Sequence, residues 1–150
     1  MSERPEIRLT AEEQAVFLRE NRKAALATLD KDGFPHVVAM TYLAKDGAFY
    51  MTSYGKAQKV VNIRRDPKVG LMVESGGSYS ELRGVMVRGI CEIIDDAETV
   101  ADVFAWMAEA RGTASNTPRR SAASTAKRVV LKVVPHKLSS WDHAKLGGRY

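Results

Sequence analysis

Three strand-like runs separated by very short turns constrain the fold of this chain most. The first run, KAALATL, begins at Lys23, the second spans Pro35 to Leu43, and the third spans Ala48 to Ser53. Asp-Lys-Asp-Gly at 30–33 and Lys-Asp-Gly at 45–47 supply hairpin turns. Parallel strands would need a crossover of a dozen or more residues between them. The pattern therefore predicts an antiparallel meander and excludes a Rossmann fold, whose G-x-G-x-x-G motif is also missing.

The rest of the chain extends this pattern with helices and further strands. Helices are predicted at 10–21, 56–65 and 95–111, and strands at 68–74, 81–94 and 127–134. Thr10 and Glu13 fit a capping box at the start of the first helix. Gly84 and Gly89 interrupt the longest strand, which indicates bulges or sharp bends as at barrel corners. The sequence predicts a mainly β (α+β) fold, a six-stranded antiparallel split β-barrel with flanking helices.

The length of 150 residues predicts a single domain over 1–150. Residues 1–9 are polar and are expected to be loose. Residues 112–126 are small and polar, so this stretch is interpreted as a mobile loop that serves as a lid, a subunit arm or a disordered segment. The C-terminal tail, 135–150, has no periodicity, although it contains Trp141. Val100, Val103, Phe104 and Met107 form a helical stripe that indicates core or dimer contact.

The segment from Tyr50 to Asp66 carries the main functional hypothesis. A strand is followed by a small polar turn and then by a helix start, an arrangement whose free N–H groups and dipole suit an anion such as phosphate. Hydroxyls at Thr52 and Ser53 and ammonium groups at Lys56 and Lys59 would add hydrogen-bond donors and positive charge. The alternative is that this basic helix is only a solvated face.

Composition limits the other classes of function. The net charge of +5 is compatible with nucleic acid, but equally with a phosphorylated small molecule, and no zinc-ligand spacing, helix-turn-helix or RNA-binding aromatic pair supports the former. No apolar run is long enough to span a membrane, and the N-terminal residues lack an apolar signal core. The single cysteine, Cys91, is interpreted as a core residue and fits a reducing cytoplasm. No metal-ligand cluster or nucleophile elbow is present.

Two segments together resemble a known group of proteins. They are AALATLDKDGFPHVVAM at 24–40 and TSYGKAQKVVNIRRDPKVGLMVE at 52–74, and VMVRGICEII at 85–94 corresponds as well. These segments resemble the flavin-reductase-like split β-barrels, that is, the pyridoxamine 5'-phosphate oxidase-like and deazaflavin-dependent oxidoreductases. The resemblance covers roughly 9–134 and implies an FMN-binding split-barrel type of fold.

The resemblance also implies where a cofactor binds. Lys59 matches the lysine that grips the cofactor phosphate, with Thr52, Ser53, Lys56, Gln58 and Asn62 nearby. The second strand, with Val38, Ala39 and Met40, would run along the isoalloxazine or deazaflavin ring. Proteins of this kind are homodimers with two sites at the subunit interface, so the resemblance implies that Tyr79 and Arg83, together with the tail near Trp141, come from the partner subunit.

The implied activity is that of an oxidoreductase in the cytoplasm. Arg65-Asp66-Pro67 looks more like the coenzyme F-420 branch than the FMN oxidases, so F-420 is the first expectation and FMN the second. The chain has no counterpart of the C-terminal extension that true pyridoxamine phosphate oxidases use for substrate, so that activity is not expected. The cofactor supplies the hydride chemistry, and no catalytic side chain is assigned. A non-catalytic flavin-, F-420- or haem-binding protein of the same fold is the alternative.

Overall fold

One antiparallel sheet of seven strands forms the centre of the computed structural model, which describes residues 6–148. The strands are β1 (Lys23–Leu29), β2 (Pro35–Thr41), β3 (Leu43–Lys45), β4 (Ala48–Tyr54), β5 (Lys68–Ser75), β6 (Arg83–Ile94) and β7 (Arg128–Asp142). The helices are α1 (Ala11–Glu20), α2 (Gln58–Arg65), α3 (Ala97–Ala110) and α4 (Ala122–Thr125), and short 3-10 helices lie at Tyr79–Glu81, Ala114–Asn116 and His143–Leu146.

The sheet has seven strands rather than six because the second predicted strand is divided at Tyr42. The phenol of this buried residue donates a hydrogen bond to the Leu18 carbonyl, and its backbone N–H donates to the Arg22 carbonyl. After Tyr42 the chain restarts as β3, which pairs with β4 and not with β1. The strand order is β2-β1-β5-β6-β7-β4-β3, so the two edge strands are consecutive in the chain. The curled sheet is a split barrel, and the predicted meander is corrected to two hairpins at opposite edges.

The last strand is almost twice as long as the predicted 127–134. It continues through Pro135 to Asp142, so the first part of the predicted tail is strand. The proline is tolerated because it lies opposite Gly89, where the β6–β7 register shifts by one residue at a bulge. Gly89 was predicted as a bulge and this is confirmed. Gly84 instead allows a close approach, since an added Cβ would lie 2.2 Å from the Trp141 ring.

The core has two parts, one inside the curled sheet and one beneath α3. Inside the sheet the fully buried side chains include Leu26, Met51, Leu71, Val85 and Leu131. Under α3, the predicted stripe packs onto the outer face of β7 at Val130, and Val100, Val103 and Met107 are buried. This burial confirms the core interpretation of the stripe.

Both ends of the described chain are attached to the sheet. The capping box of α1 is confirmed, because Thr10 and Glu13 exchange hydrogen bonds of 3.1 and 2.9 Å. The expectation of a loose N-terminal segment is wrong for residues 6–9, since Leu9 is buried and its N–H donates to Ser140; Met1–Pro5 lie outside the described residues. Helices at Ala114–Asn116 and Ala122–Thr125 occupy part of the predicted 112–126 loop. None of the helices in residues 6–148 combines the length and apolar character that crossing a bilayer requires.

Candidate functional site

The predicted phosphate turn folds as a tight connection between β4 and α2. The Gly55 N–H donates to the Lys127 carbonyl at 2.9 Å, and the Ala57 N–H donates to the Tyr54 carbonyl at 3.2 Å. Helix α2 begins at Gln58, two residues later than predicted, and its N-cap residue, Ala57, provides no side-chain cap. The first turn of α2 therefore keeps backbone donors that no capping side chain satisfies.

One flank of α2 forms an amide network against β1, centred on a buried asparagine. Asn62 is fully buried, and its Nδ2 donates to the Thr28 hydroxyl at 3.0 Å. The Gln58 amide donates to Asn62 Oδ1 at 2.7 Å, and the Arg65 guanidinium donates to the Leu29 carbonyl. The two predicted site residues on this flank, Gln58 and Asn62, thus hold the start of the helix onto the sheet. We call this set of residues the amide flank.

Lys59 lies in the first turn of α2, next to Gln58, and is half-buried. Within residues 6–148 its ammonium group makes no hydrogen bond or ion pair, although other half-exposed cations do. A cation in the first turn of a helix lies beside the positive end of the helix dipole, and a bound anion would offset both charges. The environment of Lys59 therefore suits phosphate.

The structure does not bring Thr52 and Ser53 to the same surface, because adjacent strand residues face opposite sides of a sheet. Ser53 faces the core, is buried, and donates its hydroxyl to the Tyr54 carbonyl at 3.0 Å. Thr52 pairs with Val130 and lies on the outer face of the sheet, which α3 covers. As folded, Ser53 and the buried Asn62 support the turn from inside, and their predicted contact with a cofactor stays a prediction.

Lys56, in the turn before α2, lines a cavity of about 470 Å³ on the other side of this helix. We call it the basic cavity. Its charged lining residues are Lys56, Arg64, Lys127, Arg128 and Asp95. The two basic runs that contribute these cations are far apart in the sequence, and they meet because β4 pairs with β7. The sequence analysis missed Lys127 and Arg128 as site residues, since only the strand register brings them to α2.

The second strand is an edge of the sheet, as a cofactor ring lying along it would require. Val38 and Met40 face inward and pack against the core, whereas Ala39 is exposed. β2 pairs only with β1, so one row of its backbone groups has no strand partner among the described residues. A shallow depression of about 320 Å³ on the outer face is lined by Val37, Met72 and neighbouring residues.

Tyr79 and Arg83 lie together at the end of the sheet next to α1, apart from Lys59. The Tyr79 ring lies 4.5 Å from that of His143, whose Nδ1 contacts the Tyr79 carbonyl at 2.7 Å. Because a carbonyl only accepts, this nitrogen carries the proton. Arg83 Nε lies 3.7 Å from the carboxylate of buried Asp142, and Trp141 covers Gly84.

Two other classes of site receive no support. No group of three or more His, Cys, Asp or Glu residues suited to a metal ion occurs in the part of the chain that the structure describes. Cys91 is buried in the core as predicted, and burial raises the pKa of its thiol to about 12. The thiol is therefore protonated at neutral pH and unsuited to nucleophilic chemistry.

Comparisons with known proteins agree with this architecture. The sequence profile described as pyridoxamine 5'-phosphate oxidase matches residues 10–142. A conserved hypothetical protein from Mycobacterium tuberculosis has a similar structure, with a TM-score of 0.85 and 34% identity over 100% of this chain and 95% of that one. No curated protein sequence matches.

Two further solved structures are similar to this chain. An F-420 reductase has a TM-score of 0.63 and 27% identity, over 83% of this chain and 94% of that one. An FAD-binding protein from Mesorhizobium loti has a TM-score of 0.66 and 26% identity, over 88% and 94% of the two chains.

Proposed function

This chain belongs to the pyridoxamine 5'-phosphate oxidase family, and from that premise we propose that it is an oxidoreductase that uses a phosphorylated flavin-type cofactor. Coenzyme F-420 is the first choice of cofactor and FMN the second. The reaction is hydride transfer to a small organic molecule. The similarity to an F-420 reductase and to an FAD-binding protein supports a flavin-type cofactor.

The environment of Lys59 is the observation that carries the proposal. Lys59, a half-buried residue without an ionic partner among residues 6–148, stands at a helix start that lacks a side-chain cap. Phosphate satisfies both features at once, because it accepts hydrogen bonds from the free N–H groups and offsets the charge. The amide flank holds this turn of α2 against β1, so Gln58 and Asn62 position the phosphate site from beneath.

The open edge and outer face of β2 support the placement of the ring. Backbone groups at a free strand edge can pair with the polar edge of a planar heterocycle, as they would with another strand. The adjoining depression offers Val37, which is 60% exposed, and Met72, which is 38% exposed, as an apolar surface. The cofactor supplies the hydride chemistry when bound, and the chain's own residues bind it, orient it and exclude water.

A homodimer completes this proposal. Phe34, in the turn just before β2, is 70% exposed, and Val37 on the outer face of β2 is 60% exposed, so this edge of the sheet presents apolar surface. A second copy would cover this face. It would bring Tyr79 and Arg83 towards the cofactor, although within one chain these residues already contact His143 and Asp142. Sedimentation should give the mass of a dimer; a monomer that still binds cofactor would refute the shared site.

The test is a titration of the purified protein with FMN and with coenzyme F-420, followed by quenching of tryptophan fluorescence. Lys59→Ala should weaken binding of the preferred cofactor by about 1–3 kcal/mol, the scale of a charge-assisted hydrogen bond. Lys68→Ala, which removes an exposed lysine beyond the end of α2, should leave the affinity unchanged. Equal affinity in the Lys59 variant and the native protein would contradict the phosphate site. Turnover with reduced cofactor and a panel of acceptors then separates a reductase from a non-catalytic binding protein.

A further inference from the structure

The basic cavity lies at the point where two distant basic runs of the sequence meet. Tyr54, the last residue of β4, pairs with Arg128, the first residue of β7. The next residue along, Gly55, is bonded through its N–H to the carbonyl of Lys127. This backbone pairing places Lys127 and Arg128 beside Lys56 and Arg64 from the turn and from α2. The cluster is therefore fixed by main-chain hydrogen bonds and does not depend on flexible side chains alone.

The charges in the basic cavity are not balanced. Its lining contains four cations and one carboxylate, that of Asp95, which leaves a net charge of +3. None of the four cations lies within ion-pairing distance of a carboxylate in residues 6–148, whereas elsewhere in that range Arg8, Arg119 and Lys145 each have such a partner. Four like charges around one cavity repel one another, and a bound anion relieves that repulsion.

Aromatic rings brace this cluster and extend it. The Arg128 guanidinium lies 3.8 Å over the Tyr54 ring and donates a 2.9 Å hydrogen bond to the Tyr54 hydroxyl. Phe104 of α3 lies 5.9 Å from the same guanidinium and 3.8 Å from that of Arg120. The Arg128 side chain is thus held in place rather than free in solvent. The Tyr54 ring remains 58% exposed, so it offers apolar surface at the rim of the cavity.

We propose that the basic cavity is a second anion site, which binds the diphosphate of a nucleotide and stacks its base on Tyr54. A diphosphate carries about three negative charges at neutral pH, which matches the excess charge of the lining. The cavity volume of about 470 Å³ is in the range of small-ligand sites. An exposed aromatic ring beside a cationic groove is the usual stacking platform for a base.

This site shares Lys56 with the predicted cofactor residues, but its other cations, Arg64, Lys127 and Arg128, are not among them, and it does not rest on the cofactor proposal. Residues of an α-helix advance by 100° each, so Arg64 and Asn62 lie on opposite sides of α2. The amide flank and the basic cavity accordingly face β1 and β7, respectively. A ligand in the basic cavity contacts neither Gln58 nor the β2 edge.

The test is isothermal titration of the purified full chain, without cofactor, with inorganic pyrophosphate, ADP and AMP at about 50 mM salt, where screening is weak. Pyrophosphate and ADP should bind, and AMP should bind more weakly. The double variant Arg64→Gln, Lys127→Gln should lower the affinity for both diphosphates about tenfold or more. Lys137→Gln, which removes a lysine of β7 outside the cavity, should change neither the affinity for pyrophosphate nor that for ADP. Tyr54→Leu also frees the Arg128 side chain, so it should lower the affinity for pyrophosphate slightly and that for ADP by a larger factor.

Two results would overturn the proposal. One is the absence of pyrophosphate binding by the native protein. The other is binding of pyrophosphate and ADP that the double variant leaves unchanged. In Tyr54→Leu, a loss of affinity for ADP no larger than the loss for pyrophosphate would contradict the stacking contact. Lys59→Ala should weaken the binding of the cofactor but not that of pyrophosphate. Failure of the cofactor proposal can therefore be told apart from failure of this one.

Discussion

The two sides of α2 differ in how their polar side chains are paired. On the β1 side, a buried asparagine joins the helix to the sheet through its amide. On the β7 side, four cations line an open cavity, and none of them forms an ion pair with another described residue. In the amide flank, Asn62 is fully buried and bonded to Thr28 and Gln58. In the basic cavity, Lys56 and Arg64 are exposed. The same eight-residue helix thus carries one side that maintains the fold and one side that is free for a ligand.

The difference between the amide flank and the basic cavity shows how polar side chains with a structural role can be distinguished from those that bind a ligand. A buried polar group is costly unless it is fully hydrogen-bonded, so its partners indicate a structural role. Exposed like charges gathered in one cavity contribute little to stability, so an unbalanced cluster indicates binding. Between these extremes lies Lys59, which is partly buried yet unpaired within the described chain, and it is the residue on which the cofactor proposal depends.

Replacing Asn62 should have the largest effect on stability. Asn62→Ala leaves the buried Thr28 hydroxyl without its partner, which should lower the free energy of unfolding by about 1–3 kcal/mol. Urea denaturation measures this change. Arg64→Ala, two residues further along the helix, is the matched control and should stay within about 0.5 kcal/mol of the native protein. Similar losses of unfolding free energy in both variants would contradict the difference between the two sides of α2.

A double replacement in the amide flank tests whether the hydrogen bond itself is the cause. Thr28→Val combined with Asn62→Leu removes the donor and acceptor together and fills their space with apolar groups. We expect the double variant to be more stable than the sum of the single losses predicts, by about 0.5–3 kcal/mol. A double-mutant cycle by urea denaturation gives this coupling, and strict additivity would show that packing, rather than the bond, holds the flank.

Neutralising the basic cavity should have a smaller effect of the opposite sign. Arg64→Gln with Lys127→Gln removes like-charge repulsion, so the free energy of unfolding should rise by up to about 0.5 kcal/mol at low salt. The gain should vanish at about 1 M salt, where charges are screened over a few ångströms. Thermal unfolding at the two salt concentrations measures the effect. Destabilisation at low salt would mean that these cations hold the fold together.

The smallest effect should come from Lys145, a half-exposed cation that does have an ionic partner. The hydrogen bond from Lys145 and that from the Thr10 N–H lower the pKa of Glu13 from its usual 4.5 to about 2. A pKa that folding depresses stabilises the folded state above pH 4.5, and this contribution is lost as the pH falls towards 2. Lys145→Gln should therefore make the loss of stability over this pH range less steep, as pH-dependent urea unfolding can show. An unchanged dependence of stability on pH would contradict the role of Lys145 in lowering the pKa of Glu13.

Local features of the fold could be predicted from the sequence because short-range chemistry determines them. The capping box at Thr10 and the hairpin turn with positive φ angles at Asp46 and Gly47 depend on neighbouring residues. Burial of the α3 stripe and of Cys91 follows from apolar pattern alone. The split-barrel class followed from the same patterns together with the resemblance.

Features that depend on long-range register could not be predicted. Pro135 normally ends a strand, and only the bulge opposite Gly89 lets β7 continue to Asp142. The phenol of Tyr42 reaches α1, and no local pattern shows that this divides one strand into two. The site was predicted around the right turn, but its division into two flanks depends on the pairing of Tyr54 with Arg128, residues more than seventy positions apart.

The position of β7 in the sheet also has a consequence for synthesis of the protein. β7 lies between β6 and β4, so it alone joins the half-sheet β2-β1-β5-β6 to the hairpin β4-β3. Until about residue 142 has left the ribosome, a nascent chain presents two unpaired strand edges at what will become the middle of the barrel. Such edges pair readily with other chains. The barrel therefore closes only after translation of β7, and the waiting period before that closure is when the chain most needs protection from aggregation.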